Sequence, residues 1–281
     1  MNMFLAQLGG ELRKLFFRKR TYIGFGAFLA VEVLVLALLE LPRVRRGFTR
    51  LLEGAGYSAQ EYLSGLTLGF TITLSTVLLL GALYLALVAG DIVSKEVEDG
   101  TLRMMLCRPV SRLRILTLKF CACAIYTLAL TVFIAITALA AGYLHSGRGG
   151  LFVYAPLEGL FAVYAEPAGL LRYALAIPFL ALSLLTVSAI GFFFSCLRMK
   201  PAAATIVTLS ALFVDMILKN TPFFATIREW FLTARMSTWV TVFQYRIPWE
   251  SLLENYTWLL AINATLFALG AAAFSTRDFK G

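Results

Sequence analysis

The sequence predicts an all-α integral membrane protein with six transmembrane helices, an N-terminal interfacial helix and a short cytoplasmic helix between the second and third spans. Hydrophobic residues make up 60 % of the 281-residue chain, more than the roughly half that is usual in a soluble domain. Only 15 % of the residues are charged, and they cluster between apolar segments. Most of these segments are long enough to cross a hydrocarbon core of about 30 Å. We therefore expect a single transmembrane domain over residues 1–281.

The N-terminal segment, residues 2–20, combines apolar residues at helical spacing with basic residues. The apolar set is Phe4, Leu5, Leu8, Leu12, Leu15 and Phe16, and the basic set is Arg13, Lys14, Arg18, Lys19 and Arg20. A basic amphipathic helix of this kind lies in the membrane interface. We expect it on the inner leaflet, ahead of a first span at residues 22–41.

Two carboxylates are candidates for a path through the membrane. Glu32 lies near the middle of the first span, where a charge is costly and usually faces a cavity or a partner. The alternative for Glu32 is a protonated or hydrogen-bonded packing residue. Asp215 lies near the end of the fifth span, and its spacing from Lys219 favours an i, i+4 pair on one helix face.

The later spans are predicted at residues 65–90, 115–144, 172–195, 202–218 and 257–274. Gly65 and Gly69 form a G-x-x-x-G pair, which allows close approach of another helix. Pro178 is expected to kink the fourth span or to delay its start. Threonines of the third span can bond back to their own helix; they are Thr117, Thr127, Thr131 and Thr137.

The connecting segments differ in composition. Residues 42–64 are predicted to form a polar loop. Residues 145–171 are rich in glycine and aromatic side chains, which suits a membrane interface and leaves room for a short surface helix. Residues 220–256 are also aromatic-rich, and we expect them in the outer interface or dipping back into the membrane.

The most charged stretch runs from Asp91 to Lys119, between the second and third spans. It opens with acids and closes with bases: Asp91, Glu96, Glu98 and Asp99, then Arg103, Arg108, Arg112, Arg114 and Lys119. Gly100 permits a sharp turn. Thr101 can then cap a short helix whose positive end faces the acids.

This short helix is expected to present one apolar face. Leu102, Met105 and Leu106 fall at i, i+3 and i+4. Pro109 ends the helix, because the residue before a proline avoids the α region, and Ser111 can cap the next one. A rigid knob with one apolar face and charged flanks suits a groove on another protein.

The same stretch resembles the signature of the ABC transporter type-2 permease family. The resemblance rests on Glu96-x-Glu98-x-Gly100-Thr101-Leu102, on Arg108-Pro109-Val110-Ser111-Arg112, on Ile115-Leu116 and Lys119, and on the tail Phe274-Ser275-Thr276-Arg277-Asp278. It implies that residues 91–114 form a cytoplasmic coupling loop whose helix docks on a separate ATP-hydrolysing subunit. It also implies that the N-terminal helix lies near that ATPase.

The resemblance implies a role for each part of the coupling loop. The acids would complement basic or helix N-terminal groups on the ATPase: Glu96, Glu98 and Asp99. The turn would be set by Gly100 and Thr101. The ATPase groove would be filled by Leu102, Met105 and Leu106. The knob would be oriented at the lipid surface by Arg108 and Arg112, on either side of Pro109.

The partners are implied in the same way. The chain would be a half-transporter that pairs with a second permease subunit, identical or different, and with two ATPase subunits. ATP and Mg would be held by the ATPase partner, and no cofactor by this chain. The implied direction is export. An apolar lining leans toward amphipathic or lipid-like cargo, and the sequence does not identify the substrate.

The charge distribution predicts a multi-pass protein of the inner (plasma) membrane with both termini cytoplasmic. In this orientation most of the 25 Lys and Arg residues lie in inner segments, as the positive-inside rule requires. The arginines between Arg43 and Arg50 are the exception. The net charge of +9 indicates contact with membrane lipid rather than nucleic acid, because the basic residues flank apolar spans.

The sequence carries none of the common catalytic motifs. It has no G-x-x-x-x-G-K-[ST] phosphate loop and neither H-E-x-x-H nor G-x-S-x-G. His145 is the single histidine, and the spacing of Cys107, Cys121, Cys123 and Cys196 fits neither a zinc site nor a disulfide framework. We expect a transport subunit rather than an enzyme. The alternatives are a membrane scaffold that docks a cytoplasmic partner and an intramembrane enzyme that uses Glu32.

Overall fold

The computed structural model describes residues 2–102 and 110–276. Within those ranges, six helices are long and apolar enough to cross a membrane: Lys19–Leu39, Gly65–Glu98, Arg112–Ser146, Glu166–Cys196, Pro201–Asn220 and Trp249–Ser275. The prediction of a mostly helical protein with six spans is confirmed.

Two helices form the N-terminal region, α1 (Asn2–Phe16) and the first span α2 (Lys19–Leu39). The corner between them is closed by the Thr21 hydroxyl, which donates to the carbonyl of Leu15 at 2.5 Å. The apolar side of α1, with Leu8, Leu12 and Leu15, packs on the main core of the bundle. A helix is therefore present where the sequence predicted one, and its position in a membrane interface stays a prediction.

Residues 42–64 are largely helical, and the prediction of a polar loop was wrong. Pro42 begins α3 (Pro42–Gly54), where its fixed φ suits the first helical position, and α4 (Ala59–Tyr62) follows. Phe48 and Leu52 of α3 pack against the 151–164 segment. This stretch folds as a helix because one side is buried while its arginines take the exposed side.

The second span continues past its predicted end at Gly90. It consists of α5 (Gly65–Thr76), a π-helical segment (Val77–Gly81) and α6 (Ala82–Glu98). The charges that begin at Asp91 do not end the helix, because Ile92 and Val93 are buried between them. The buried carboxylates of Asp91 and Glu96 also find cationic partners on other helices.

The third span, α7 (Arg112–Ser146), begins where the sequence placed a cap. The Ser111 hydroxyl oxygen accepts a hydrogen bond from the amide of Arg114 at 3.3 Å. The predicted back-bonding is confirmed for Thr117, Thr127, Thr131 and Thr137. Along the same helix, α5 approaches closely at Gly65 and Gly69, as the G-x-x-x-G pair predicted.

A β-hairpin takes the place of the surface helix that the sequence left room for in residues 145–171. Strands β1 (Leu151–Ala155) and β2 (Leu160–Tyr164) pair antiparallel through a 3-10 turn at Pro156–Glu158. Valine and aromatic residues favour strands, and Gly159 supplies the positive φ of 63° that ends the turn. The fourth span, α8 (Glu166–Cys196), then begins earlier than predicted and passes through Pro178.

The C-terminal region holds the last two spans and a compact connection. The fifth span α9 (Pro201–Asn220) is followed by a 3-10 segment (Pro222–Trp230), α10 (Leu232–Met236), a second 3-10 segment (Ser237–Phe243) and the last span α11 (Trp249–Ser275). Trp239 and Phe243 are buried in the main core. The aromatic connection therefore packs between the spans and not only on the surface.

Asp215 caps α10 and does not pair with Lys219. Its carboxylate accepts hydrogen bonds from the amides of Leu232 at 3.1 Å and Thr233 at 2.7 Å. An anion at a helix N-terminus is stabilised by the free N–H groups and the helix dipole. Lys219 instead lies 3.4 Å from Glu158. The predicted i, i+4 pair was wrong, because both side chains reach the neighbouring connections.

We expect Gly65→Ala to lower the thermal stability of the detergent-solubilised protein. A Cβ at this position would lie 2.6 Å from the carbonyl oxygens of Gly142 and Gly147, and backbone cannot move aside as a side chain can. Overpacking of this kind costs about 1–3 kcal/mol. Gly26→Ala is the matched control, since nothing lies within 4 Å of a Cβ there. Equal melting temperatures for the two variants would contradict the close helix contact.

Candidate functional site

Four charged side chains meet at the end of the bundle that carries α1. They form the Lys119 cluster: Glu11 and Lys14 on α1, Glu96 near the end of α6 and Lys119 near the start of α7. The Lys119 ammonium nitrogen lies 3.0 Å from Glu11 Oε2 and 2.7 Å from Glu96 Oε2. Lys14 Nζ lies 2.7 Å from Glu11 Oε1 and 3.6 Å from Glu96 Oε1. Each carboxylate therefore faces both cations.

Three of the four members are buried, whereas the side chain of Lys14 is 47 % accessible, so the charge balance of the buried three matters most. Lys119 is 1 % exposed, and Glu11 and Glu96 are 8 % and 7 % exposed. An isolated buried charge is strongly destabilising, and removing one partner of a buried pair leaves the other uncompensated. Because two ammonium groups meet two carboxylates, the cluster holds no net charge. Because the charges balance, α1, the end of α6 and the start of α7 can pack together even though each carries a charged side chain into the contact.

The electrostatics of Glu11 and Lys14 reflect this arrangement. Burial by itself raises the pKa of Glu11, but the ammonium groups of Lys119 and Lys14 outweigh burial and hold it below its ordinary value of 4.5. Burial lowers the pKa of Lys14, but the carboxylates of Glu11 and Glu96 outweigh it and raise the pKa above 10.5. Both groups are therefore charged at neutral pH.

A second ion pair fixes the chain just after α1. The guanidinium of Arg20, at the start of α2, contacts the carboxylate of Asp91 on α6. Asp91 is 6 % exposed. The first span is thereby held to α6 about one and a half turns before Glu96. Together with the Lys119 cluster, this pair binds the N-terminal region to the helix that leads into the predicted coupling loop.

The surface of the site is formed by the residues that follow α6. Glu98 and Asp99 are exposed, and both lie near Lys95, at 3.1 Å and 3.2 Å. Gly100 adopts a φ of +72°, a left-handed conformation that other residues rarely accept, so the predicted turn is confirmed. The Thr101 hydroxyl donates to the carbonyl of Glu96 at 3.3 Å. It thus bonds back to the end of α6.

Several predicted coupling residues face inward. Leu102 is fully buried in the main core, so it does not present an apolar face to a partner. Glu96 lies in the Lys119 cluster and not on the surface beside Glu98 and Asp99. The expectation that these two side chains contact an ATPase directly is therefore corrected, because each is already packed within the bundle.

The remaining predicted residues of the loop divide in two groups. Arg112 is described, and its guanidinium donates to the carbonyl of Ser275 at 2.8 Å, which joins the start of α7 to the end of α11. Met105, Leu106, Arg108 and Pro109 lie outside the described residues. The docking role predicted for them stays a prediction.

The sequence analysis missed Glu11 and Lys14 as members of the site and noted Lys119 only as part of a pattern. The sequence does contain a pattern that indicates this contact. Glu11 lies among the apolar residues of α1, and Lys119 lies among those of α7. Single charges of opposite sign on two apolar faces indicate an internal pair. What the sequence could not give is the crossing that brings α1 against α7.

The membrane candidate Glu32 lies apart from this cluster. It is 3 % exposed, and its Oε1 accepts a hydrogen bond from the hydroxyl of Thr137 on α7 at 2.8 Å. Val35, three residues further along α2, is buried in a small apolar cluster with Ile72 of α5. Glu32 and Asp215 therefore have different neighbours, and the structure does not join them in one site.

The comparisons with known proteins give one finding. The profile of a family described as ABC-2 family transporter protein matches residues 8–197. The match includes Glu11, Glu96 and Lys119, and the first four spans. A search of curated proteins found no match.

We expect Lys119→Met to destabilise the protein by about 3–5 kcal/mol, because two buried carboxylates would lose their shared cation. Adding Glu11→Gln and Glu96→Gln to that variant should restore much of the stability, since no buried charge then remains. The remaining ammonium group, on Lys14, has a side chain that is 47 % accessible to water. Thermal unfolding in detergent measures both effects. Lys95→Met is the control, because its ion pairs with Glu98 and Asp99 are exposed to solvent and such pairs contribute little to stability. A Lys119→Met loss as small as the control's would contradict the cluster's role.

The cluster also predicts a pH dependence. Since the pKa of Glu11 is lower when folded than its ordinary 4.5, its contribution is present above that value and is lost as pH falls through the folded pKa. We expect the stability gap between the wild-type chain and Glu11→Gln to be constant near neutrality and to narrow below about pH 4.5. Melting curves across pH 3–7 measure the gap. A gap that is independent of pH would overturn the assignment.

Proposed function

The chain belongs to the ABC-2 transporter family, and we propose that it is a membrane-spanning permease subunit that couples ATP hydrolysis by a separate ATPase subunit to substrate export. The family's membrane proteins are permease components of ABC transporters, and the six apolar helices make this chain a multi-pass membrane protein. The coupling, the direction and the partners are our proposal.

The observation that carries the proposal is the link between α1 and both helices that bracket the 99–111 segment. Lys119 lies near the start of α7 and Glu96 near the end of α6, and each contacts Glu11 or Lys14 of α1. A displacement of the segment would therefore move three helices together. Because both ends of the segment are held to the bundle in this way, we infer that it transmits motion to the spans.

The docking surface is smaller than the sequence suggested. Of the three acids in the motif, Glu98 and Asp99 are exposed, with side chains 49 % and 50 % accessible. We propose that these two contact basic or helix N-terminal groups of the ATPase, while Gly100 sets the direction of the segment. The apolar contacts are assigned to Met105 and Leu106, and the role of Glu96 becomes internal.

The cycle follows from linkage between ATP binding and conformation. ATP and Mg, held by a pair of ATPase subunits, would draw these subunits together and displace the 99–111 segments of two permease subunits. ATP binding can shift the equilibrium between the inward-open and outward-open states only by as much as the affinity for ATP differs between the two states. The second permease subunit, identical or different, completes the path. This assigns both termini to the cytoplasm.

Glu32 is our candidate for the translocation path. Its carboxylate lies between α2 and α7 and accepts one hydrogen bond from Thr137. A carboxylate at mid-span usually serves a path or a partner. Asp215 is withdrawn from this role, since its oxygens already cap α10.

We expect the double variant Glu98→Lys, Asp99→Lys to weaken binding of the proposed ATPase partner to the full-length chain by roughly tenfold or more, because charge-assisted hydrogen bonds contribute about 1.5–3 kcal/mol each. Pull-down titration and the ATPase rate of the complex measure the loss. Membrane insertion should be unchanged. Glu250→Lys, an exposed acid at the start of α11, is the matched control.

Two outcomes would count against the proposal. If the charge reversal leaves ATPase binding intact, Glu98 and Asp99 are not the docking surface. If no ATPase binds the chain at all, the scaffold alternative takes its place. A transport assay distinguishes the two functions, because a permease moves substrate across the membrane and a scaffold does not.

A further inference from the structure

The arginines of α3 are not used by the proposed function. This helix carries Arg43, Arg45, Arg46 and Arg50, with Glu53 as its single acid. Arg43, Arg46 and Arg50 are spaced by three and four residues, so they lie in one stripe along the helix. Arg45 falls on another side, where it lines a small crevice with Glu40 and Phe48. We call Arg43, Arg46 and Arg50 the arginine stripe.

The helix is held in place by its other side. Leu52 is fully buried, and the ring of Phe48 packs edge-on against Phe152 and Tyr154 of the hairpin, with centroids 6.1 Å and 6.3 Å apart. All three residues of the arginine stripe are exposed. The stripe is therefore presented on a helix whose orientation is fixed by aromatic packing.

The stripe carries positive charge that no carboxylate of the described chain neutralises. Within residues 2–102 and 110–276, the ion pairs include none with an arginine of α3. Arg46 Nε donates to the carbonyl of Pro42 at 2.8 Å, which leaves its charge uncompensated. The nearby Glu40 is engaged by His145 at 2.8 Å.

The position of α3 indicates what covers the stripe. The helix begins at Pro42, directly after the first span ends at Leu39, so it starts at the membrane boundary. Two leucines beside the stripe are also exposed: Leu41, directly before α3, is 48 % exposed and Leu51, within it, is 40 % exposed. Exposed leucines beside arginines are typical of a helix in contact with lipid headgroups and the acyl boundary.

We propose that the arginine stripe binds the phosphate groups of anionic phospholipids in the leaflet at that end of the bundle. A guanidinium presents a planar fork that matches phosphate oxygens, and neighbours on one helix face are about 5–6 Å apart at Cβ, which lets adjacent arginines share a headgroup. A basic residue near an anionic surface contributes on the order of a fivefold gain in affinity. The site would also explain why basic residues occur between Arg43 and Arg50, on the side of the membrane where the positive-inside rule disfavours them.

The test uses the purified full-length chain, with phosphatidylglycerol and phosphatidylcholine as probes. Native mass spectrometry and the lipid-dependent rise in melting temperature measure binding. We expect Arg50→Gln to weaken phosphatidylglycerol binding about fivefold and Arg50→Lys to restore most of it. The effect should shrink in high salt, because exposed charges are screened. Arg45→Gln removes the same charge from a different side of α3 and should bind like the wild-type chain.

Each other outcome overturns the proposal. Equal losses for Arg45→Gln and Arg50→Gln would mean a general charge effect. Unchanged binding for Arg50→Gln, or equal binding of phosphatidylcholine, would exclude a phosphate site. Tighter binding of a soluble polyglutamate peptide than of phosphatidylglycerol would assign the stripe to an acidic protein partner. No ATPase enters the experiment, so its result is independent of the proposed function.

Discussion

A single buried ammonium group constrains the architecture of this chain. Lys119 lies at one end of the bundle with almost no exposure and has a carboxylate on each side, from Glu11 and Glu96. Water cannot solvate it there, so its charge is tolerable only while both carboxylates stay in place. The ion pairs therefore fix the relative positions of α1, α6 and α7, which are distant in sequence. Apolar packing alone is not directional and would not fix them in the same way.

The consequences extend from that point along the chain. The N-terminal helix α1 becomes part of the bundle and not a separate anchor, and Arg20 with Asp91 repeats the attachment at the start of the first span. The 99–111 segment leaves α6 at the left-handed Gly100 and returns at the capped start of α7. A protein that binds the exposed carboxylates of Glu98 and Asp99 would therefore act directly on the end of α6.

Composition and periodicity predicted the spans well because the length of an apolar run is dictated by bilayer thickness. The Gly100 turn, the Ser111 cap and the Gly65 contact were also predictable, since each depends on local backbone chemistry. The ends of the helices were not predictable, because the sequence pattern indicates that charges such as Asp91 and Glu96 are exposed, whereas tertiary partners bury them. The hairpin at 151–164 and helix α3 were not predicted for a related reason. Each buries its apolar side against the other, and the sequence pattern of either segment alone does not determine its secondary structure.

The candidate site shows the same limit. Sequence spacing selected the coupling stretch but assigned Glu96 and Leu102 to the surface, because spacing gives the face of a helix and not what covers it. Glu11 and Lys119, which meet where α1 packs on α7, are separated in sequence by the whole of the first two spans. Such a contact is set by the packing of whole helices, and a single sequence does not specify it.

The most direct test of the account is a distance measurement between α1 and α7 in the complex with the ATPase. Spin labels at Leu5 and Leu113, which are 57 % and 58 % exposed, would be placed after replacement of the native cysteines. The account predicts one narrow distance that is the same without nucleotide and with ATP bound, and that broadens in Lys119→Met. A distance that changes with nucleotide while the Lys119 cluster is intact would show that α1 does not move with the 99–111 segment.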